Sequence, residues 1–271
     1  MSVTRRSFLS TTPLALVPAV WPDAAQLAPT PADAISPTYP TQAAEMAMEM
    51  VGASHNNLAR VKELLAIHPT LARASWDWGF GDWEDALGAA SHVGNREIAA
   101  VLLANGARPS IFSAAMLGQL DVVKAFIASA PGIESTPGPH GITLLAHATA
   151  GGAQSQAVAE YLKTVPGANK RPDVQPTTPD QVKAITGEYI FGPGTTERIT
   201  VAVNSNNIVT FTRAGRSPRN LFHVGDLAFF PTGAPLVRVR FAAVSGGAMQ
   251  LTVHDPRIVL TATRTPTLVA L

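Results

Sequence analysis

Two hydrophobic rhythms divide the chain. From residue 42 to 165 apolar residues recur at helical spacing, as in Val61, Leu64 and Leu65 or Ile98, Val101 and Leu102. After Thr178 the period shortens to two. Segments 199–203, 208–212, 237–241, 250–253 and 258–262 alternate apolar with polar side chains, and Asn- and Gly-bearing turns separate them. The first rhythm predicts short paired helices and the second about five to eight short antiparallel strands. Between them, residues 166–179 carry four prolines and little apolar periodicity, which suits an extended spacer. The expected fold is therefore α+β and multidomain: an irregular helical repeat stack over 42–165, a Pro-rich linker over 166–179, and a small β-domain over 180–271 built as a curled sheet or open barrel.

The helical part is self-similar. Ala114-Ala115-Met116-Leu117-Gly118-Gln119-Leu120-Asp121-Val122-Val123 shares its frame with segments around Asn56, Gly94 and Gly152. Each unit supplies two helices whose small residues allow close stacking, while Leu and Val face the next unit. These residues resemble ankyrin repeats, with Ala86 and Gly88, and later Leu144 and Ala146, standing where the family's turn has Pro and His. The resemblance implies a concave face that binds a protein partner.

The first residues read as an address. Thr4-Arg5-Arg6-Ser7-Phe8-Leu9 followed by the apolar stretch Leu14–Trp21 resembles a twin-arginine export signal. Small residues place cleavage after 19 or after 34, within a signal region 1–34, and leave 35–41 as a disordered leader. The resemblance implies export of a folded chain to the periplasm. At the other end, Gly187-Glu188-Tyr189, Leu221-Phe222, Phe229-Phe230-Pro231, Phe241 and Leu251-Thr252-Val253-His254 resemble the small β-domain appended to periplasmic serine hydrolases. That implies an accessory module, since neither Ser-x-x-Lys nor Gly-x-Ser-x-Gly precedes it.

Composition narrows the chemistry. No cysteine is present, which removes disulfides, thiolate nucleophiles and Cys-ligated metal sites. A net charge of +1 gives no whole-chain case for nucleic acid, and no apolar run of the expected mature chain is long enough to span a membrane. The charge is uneven, however. Seven basic against eleven acidic residues lie in 45–165, and nine against five in 178–271, a difference that solvated faces routinely show and that would also let the two modules attract one another.

One segment stands out. Residues 76–85 hold three of the four tryptophans and four acids, in a finger between the first two units. Aromatic faces beside carboxylates suit a cation, a sugar or a basic peptide. The ligand- or partner-binding set is therefore Trp76, Asp77, Trp78, Asp82, Trp83, Glu84, His92 and, closing the first helix of the third unit, Met116. Histidines 55, 92, 140 and 147 fall near the concave ends of the helices, where a His acts as base if Asp77 or Glu84 orients it. None pairs at i,i+4 and no His-Glu-x-x-His occurs, so sequence spacing predicts no metal site, no cofactor and no catalytic residue. The leading expectation is a non-enzymatic periplasmic scaffold for an unknown periplasmic protein, with a small ligand possible at the finger. The rival is a small-molecule or glycan-handling enzyme with its site between finger and repeats. Convergent hydrogen bonding around His92 and the acids favours the rival, and an open flat groove favours the scaffold.

Overall fold

The computed structural model describes residues 31, 33, 35 and 37–264. Residues 4–21, read as resembling an export signal, and residues 19 and 34, after which cleavage is expected, lie outside the described residues. Among them, no helix is long and apolar enough to cross a membrane.

Four helix pairs come first. They are α1 (Ala44–Ala53) with α2 (Leu58–Ile67), α3 (Ala86–His92) with α4 (Arg96–Ala104), α5 (Ile111–Met116) with α6 (Leu120–Ser129), and α7 (Leu144–Ala150) with α8 (Gln156–Lys163). Side-chain oxygens of Asn57, Asp85, Asn95, Ser110 and Thr143 accept from the first-turn N–H groups of five of them, which explains why such short helices hold. The first helices of the pairs stack in chain order through Ala89, Ala90, Ala114, Ala115 and Ala148, all buried. Gly94 shows how tight the stack is: its φ is +77° and a Cβ there would lie 2.1 Å from the Ala150 carbonyl oxygen. The Arg96 guanidinium then donates to the carbonyls of Met116 (2.6 Å) and Gly151 (3.1 Å), tying the turns of later pairs to the second.

The finger expected between the first two pairs is a hairpin of β1 (Ser75–Asp77) and β2 (Trp83–Asp85). A second excursion, residues 130–143, runs between α6 and α7 through two short 3-10 turns and carries His140.

The β-domain departs from expectation. It is neither a curled sheet nor an open barrel but a closed antiparallel barrel of eight strands: β3 (Gly187–Ile190), β4 (Arg198–Val203), β5 (Val209–Arg213), β6 (Arg219–Gly225), β7 (Ala228–Pro231), β8 (Arg238–Ala243), β9 (Met249–Asp255) and β10 (Ile258–Arg264). Closure comes from β10 pairing back onto β3 at Thr263 and Ile190. Eight strands leave an interior that side chains alone can fill. Tyr189, Ile199, Val201, Phe229, Val239, Phe241 and Leu251 fill it. One end is capped by helix α9 (Pro179–Ile185), whose Ile185 is fully buried and whose Ala184 and Thr186 carbonyls accept from Arg264.

The Pro-rich segment is extended but tied at both ends. Leu145 N donates to Ala168 O (2.9 Å), Gln175 N to His223 O (2.8 Å), and the His223 Nδ1–H reaches Pro176 O (3.2 Å). It straps the barrel to the stack.

Leu102 sits fully buried in the core of the first two pairs. Leu102→Ala is therefore expected to lower unfolding free energy by about 2 to 5 kcal/mol in urea titration. A loss under about 0.5 kcal/mol, the range of surface substitutions, would contradict this packing.

Candidate metal centre

Hairpin alternation decides which acids point inward. Trp76 pairs with Glu84 and Asp77 with Trp83, so opposite residues share a face. The ladder continues through Trp78 N to Asp82 O (3.1 Å). Trp76, Trp78, Asp82 and Glu84 therefore face the stack, and Asp77 and Trp83 face away. Glu84 is fully buried there.

Three imidazoles from three other segments meet that carboxylate. His92 closes α3 and places Nε2 2.9 Å from Glu84 Oε1; His140, from the second excursion, places Nε2 3.4 Å from the same oxygen; His55, in the turn after α1, places Nε2 3.6 Å from Oε2. One ligand atom from each of the four residues lies within 4.8 Å of all the others. The second carboxylate oxygen also accepts from Trp78 Nε1 at 2.8 Å.

The far sides of the rings are committed. His140 Nδ1–H donates to Asp82 Oδ2 at 2.7 Å, while the His140 backbone N–H donates to Oδ1 at 2.8 Å. His55 Nδ1–H points at the carbonyls of Val51 (3.2 Å) and Gly52 (3.1 Å). With the proton held on Nδ1, a neutral ring turns its Nε2 lone pair toward the cluster, the arrangement that metal-binding histidines adopt. Glu84 Oε1 and His92 Nε2 are close, yet both are buried without a well-directed hydrogen bond. Such a pair needs a further partner.

Electrostatics lead to the same place. Burial pushes the Glu84 carboxyl up, but His140 and His92 outweigh it and hold its pKa down at about 2. Burial presses the His140 imidazolium down, and Asp82 and Glu84 outweigh that too, raising it to about 9. Two buried carboxylates thus demand positive charge at this point, which an imidazolium or a metal cation supplies. His147, on α7, stands apart. Burial lowers its pKa to about 4, its Nδ1–H donates to Thr143 O at 2.9 Å, and its ring centre is 6.5 Å from that of His92.

The barrel locks the hairpin side of the cluster. Arg219, at the start of β6, donates through Nη2 to Asp82 Oδ2 and to Thr232 O (2.7 Å). Gly233 lets this approach happen: at φ +74° a Cβ would fall 2.2 Å from the Asp82 carboxylate. Phe80, at the hairpin tip, packs edge-on against Phe211 of the barrel core at 5.5 Å. The opposite net charges of the modules meet here as one buried pair.

Of the residues read from sequence, Trp78, Asp82, Glu84 and His92 come together at the cluster. Trp76 packs on the core of the first pairs, and Asp77 Oδ1 accepts from Gly79 N at 2.8 Å to shape the hairpin turn. Trp83 faces solvent at 63% exposure. Met116 has no surface to offer a partner, because it is fully buried in the helical core. His55 and His140 complete the cluster, and their spacing of 85 residues gave no local signal; acids and histidines gathered at the concave end of a repeat array were the available clue. The expectation of no metal site rested on ligand pairs within one helix, whereas the four candidate donors each come from a different segment. Compared with protein-family models, curated proteins and solved structures, the chain matches none.

Arg219→Met leaves Asp82 with only His140 as charged partner. Equilibrium unfolding should show a loss of about 1 to 3 kcal/mol, and limited proteolysis should cut faster within 166–179. Unchanged stability with an unchanged cleavage pattern would mean that the pair does not hold the modules together.

Proposed function

We propose that this protein binds a first-row divalent transition-metal ion through His55, His92, His140 and Glu84. The supporting observation is the convergence of three Nε2 atoms on a buried carboxylate while the Nδ1 protons of His55 and His140 are held elsewhere. Metal–ligand bonds of about 2.0–2.1 Å put tetrahedral donors about 3.3 Å apart. The imidazole-to-carboxylate distances, 2.9 and 3.4 Å to Oε1 and 3.6 Å to Oε2, lie on either side of that value, and all four donors fit within 4.8 Å of one another. Imidazole nitrogen with a single carboxylate oxygen suits zinc over magnesium or calcium, which take oxygen. Asp82 behind His140 orients the ring and raises its basicity.

This reading favours the second of the two functional classes, a site for small-ligand chemistry between finger and repeats. Side-chain exposures of 26% for His55 and 20% for His140, against 11% for His92 and none for Glu84, give the centre its access to solvent. Export of a folded chain, implied by the twin-arginine resemblance, is compatible with loading before translocation to the periplasm.

Calorimetric titration of chelator-stripped protein with zinc, and cobalt titration followed by visible absorption, test the proposal. One ion per chain is expected, with the intense d–d bands of low-coordinate cobalt. His92→Ala and Glu84→Gln should each weaken binding at least about 100-fold, and Asp82→Asn about 10- to 100-fold, with far-ultraviolet dichroism unchanged. No saturable binding, or affinity indifferent to His92→Ala and His140→Ala, would overturn it.

A further inference from the structure

The finger, with residues from both of its faces, forms one wall of a groove of about 650 Å³ whose other wall is the barrel, beside the four donors of the metal centre and not among them. That volume falls within the range of small-molecule sites, about 300–1,000 Å³. Trp76 and Trp83 contribute ring surface from the hairpin, and Arg213 and Arg216 contribute guanidinium groups from the end of β5 and the turn after it. Neither arginine has a carboxylate partner among the described residues: Arg213 donates Nε–H to Thr196 O (3.3 Å) and lies over the Phe191 ring, and no ion pair involves Arg216. Asp77 and Asp255 add acceptors along the same groove.

The geometry points to a binding site for an acidic oligosaccharide. A pyranose presents an apolar face to an indole ring, its hydroxyls donate to carboxylates, and a uronate carboxylate matches the fork of a guanidinium. Flat aromatic surface, unpaired cations and acceptors occur together here. A purely apolar ligand would leave the arginines unused, and a neutral one would gain nothing from them. Trp83 explains itself in this setting. Its exposed indole is 63% accessible and so is available for stacking, and the tryptophans of the described chain all lie on this finger. The groove also touches the back of the metal centre, because Trp78 and Arg219 line it while holding Glu84 and Asp82.

Tryptophan emission reports on this groove, since three of the four tryptophans, Trp76, Trp78 and Trp83, are its lining. The full exported chain is titrated with trigalacturonate and, in parallel, with the neutral trisaccharide maltotriose. A saturable emission change with trigalacturonate is expected, at least about 10-fold tighter than any response to maltotriose. Arg216→Ala and Trp83→Ala should each weaken it at least about 10-fold with melting temperature unchanged, because both side chains are exposed. His92→Ala, which disables the metal centre, should keep the response, so that failure of one reading is separable from failure of the other. No saturable change, an equal response to maltotriose, or indifference to both groove substitutions would overturn the assignment.

Discussion

A carboxylate removed from water governs this molecule. Burying an ionised Glu84 costs several kcal/mol unless donors and positive charge surround it, and the fold supplies them from every side. Trp78 provides an indole N–H, and His55, His92 and His140 provide imidazole nitrogens. Without the three imidazoles, Glu84 would keep only the Trp78 N–H as a donor to its buried charge. Each surrounding element can be understood by what it brings to that point.

The helix stack and the barrel contribute differently. Stacking through alanine and glycine fixes the ends of α1 and α3 close enough that His55 and His92 approach with ring centres 4.9 Å apart. The excursion between α6 and α7 then brings His140 across, and Asp82 holds it by both ring and backbone. Asp82 in turn is held by Arg219, which belongs to a barrel that begins more than a hundred residues later. The barrel thus helps to build the candidate centre even though, among the described residues, none of the four candidate donors belongs to it. A metal ion bound among the four donors would stabilise both modules and the buried charge pair between them, because ligands that bind only the folded state add to its stability.

Much of the fold was legible. The period-two segments fell on β4, β5, β8, β9 and β10, the shorter aromatic motifs on β3, β6 and β7, and Gly94, Gly118 and Gly152 on the turns of successive helix pairs. Closure of the barrel was not legible, since it depends on Ile190 meeting Thr263, a contact across more than seventy residues that no local rhythm encodes. The site divides the same way. Trp78, Asp82 and Glu84 were marked by unusual local composition, and His92 by its place after the finger. His55 and His140 were noted only as histidines near the concave ends of the helices, because what brings them to Glu84 is tertiary placement and not local spacing. Met116 was misread, since a methionine at a helix end looks alike whether it faces a partner or a core.

We propose that the four donors share one metal ion. Crystals grown with zinc and measured on both sides of the zinc absorption edge test it most directly. A single strong anomalous peak is expected about 2.0–2.1 Å from Nε2 of His55, His92 and His140 and from a Glu84 carboxylate oxygen. Crystals that diffract well and show no zinc peak among these four side chains, with His140 and His92 bonded only to Glu84, would contradict it.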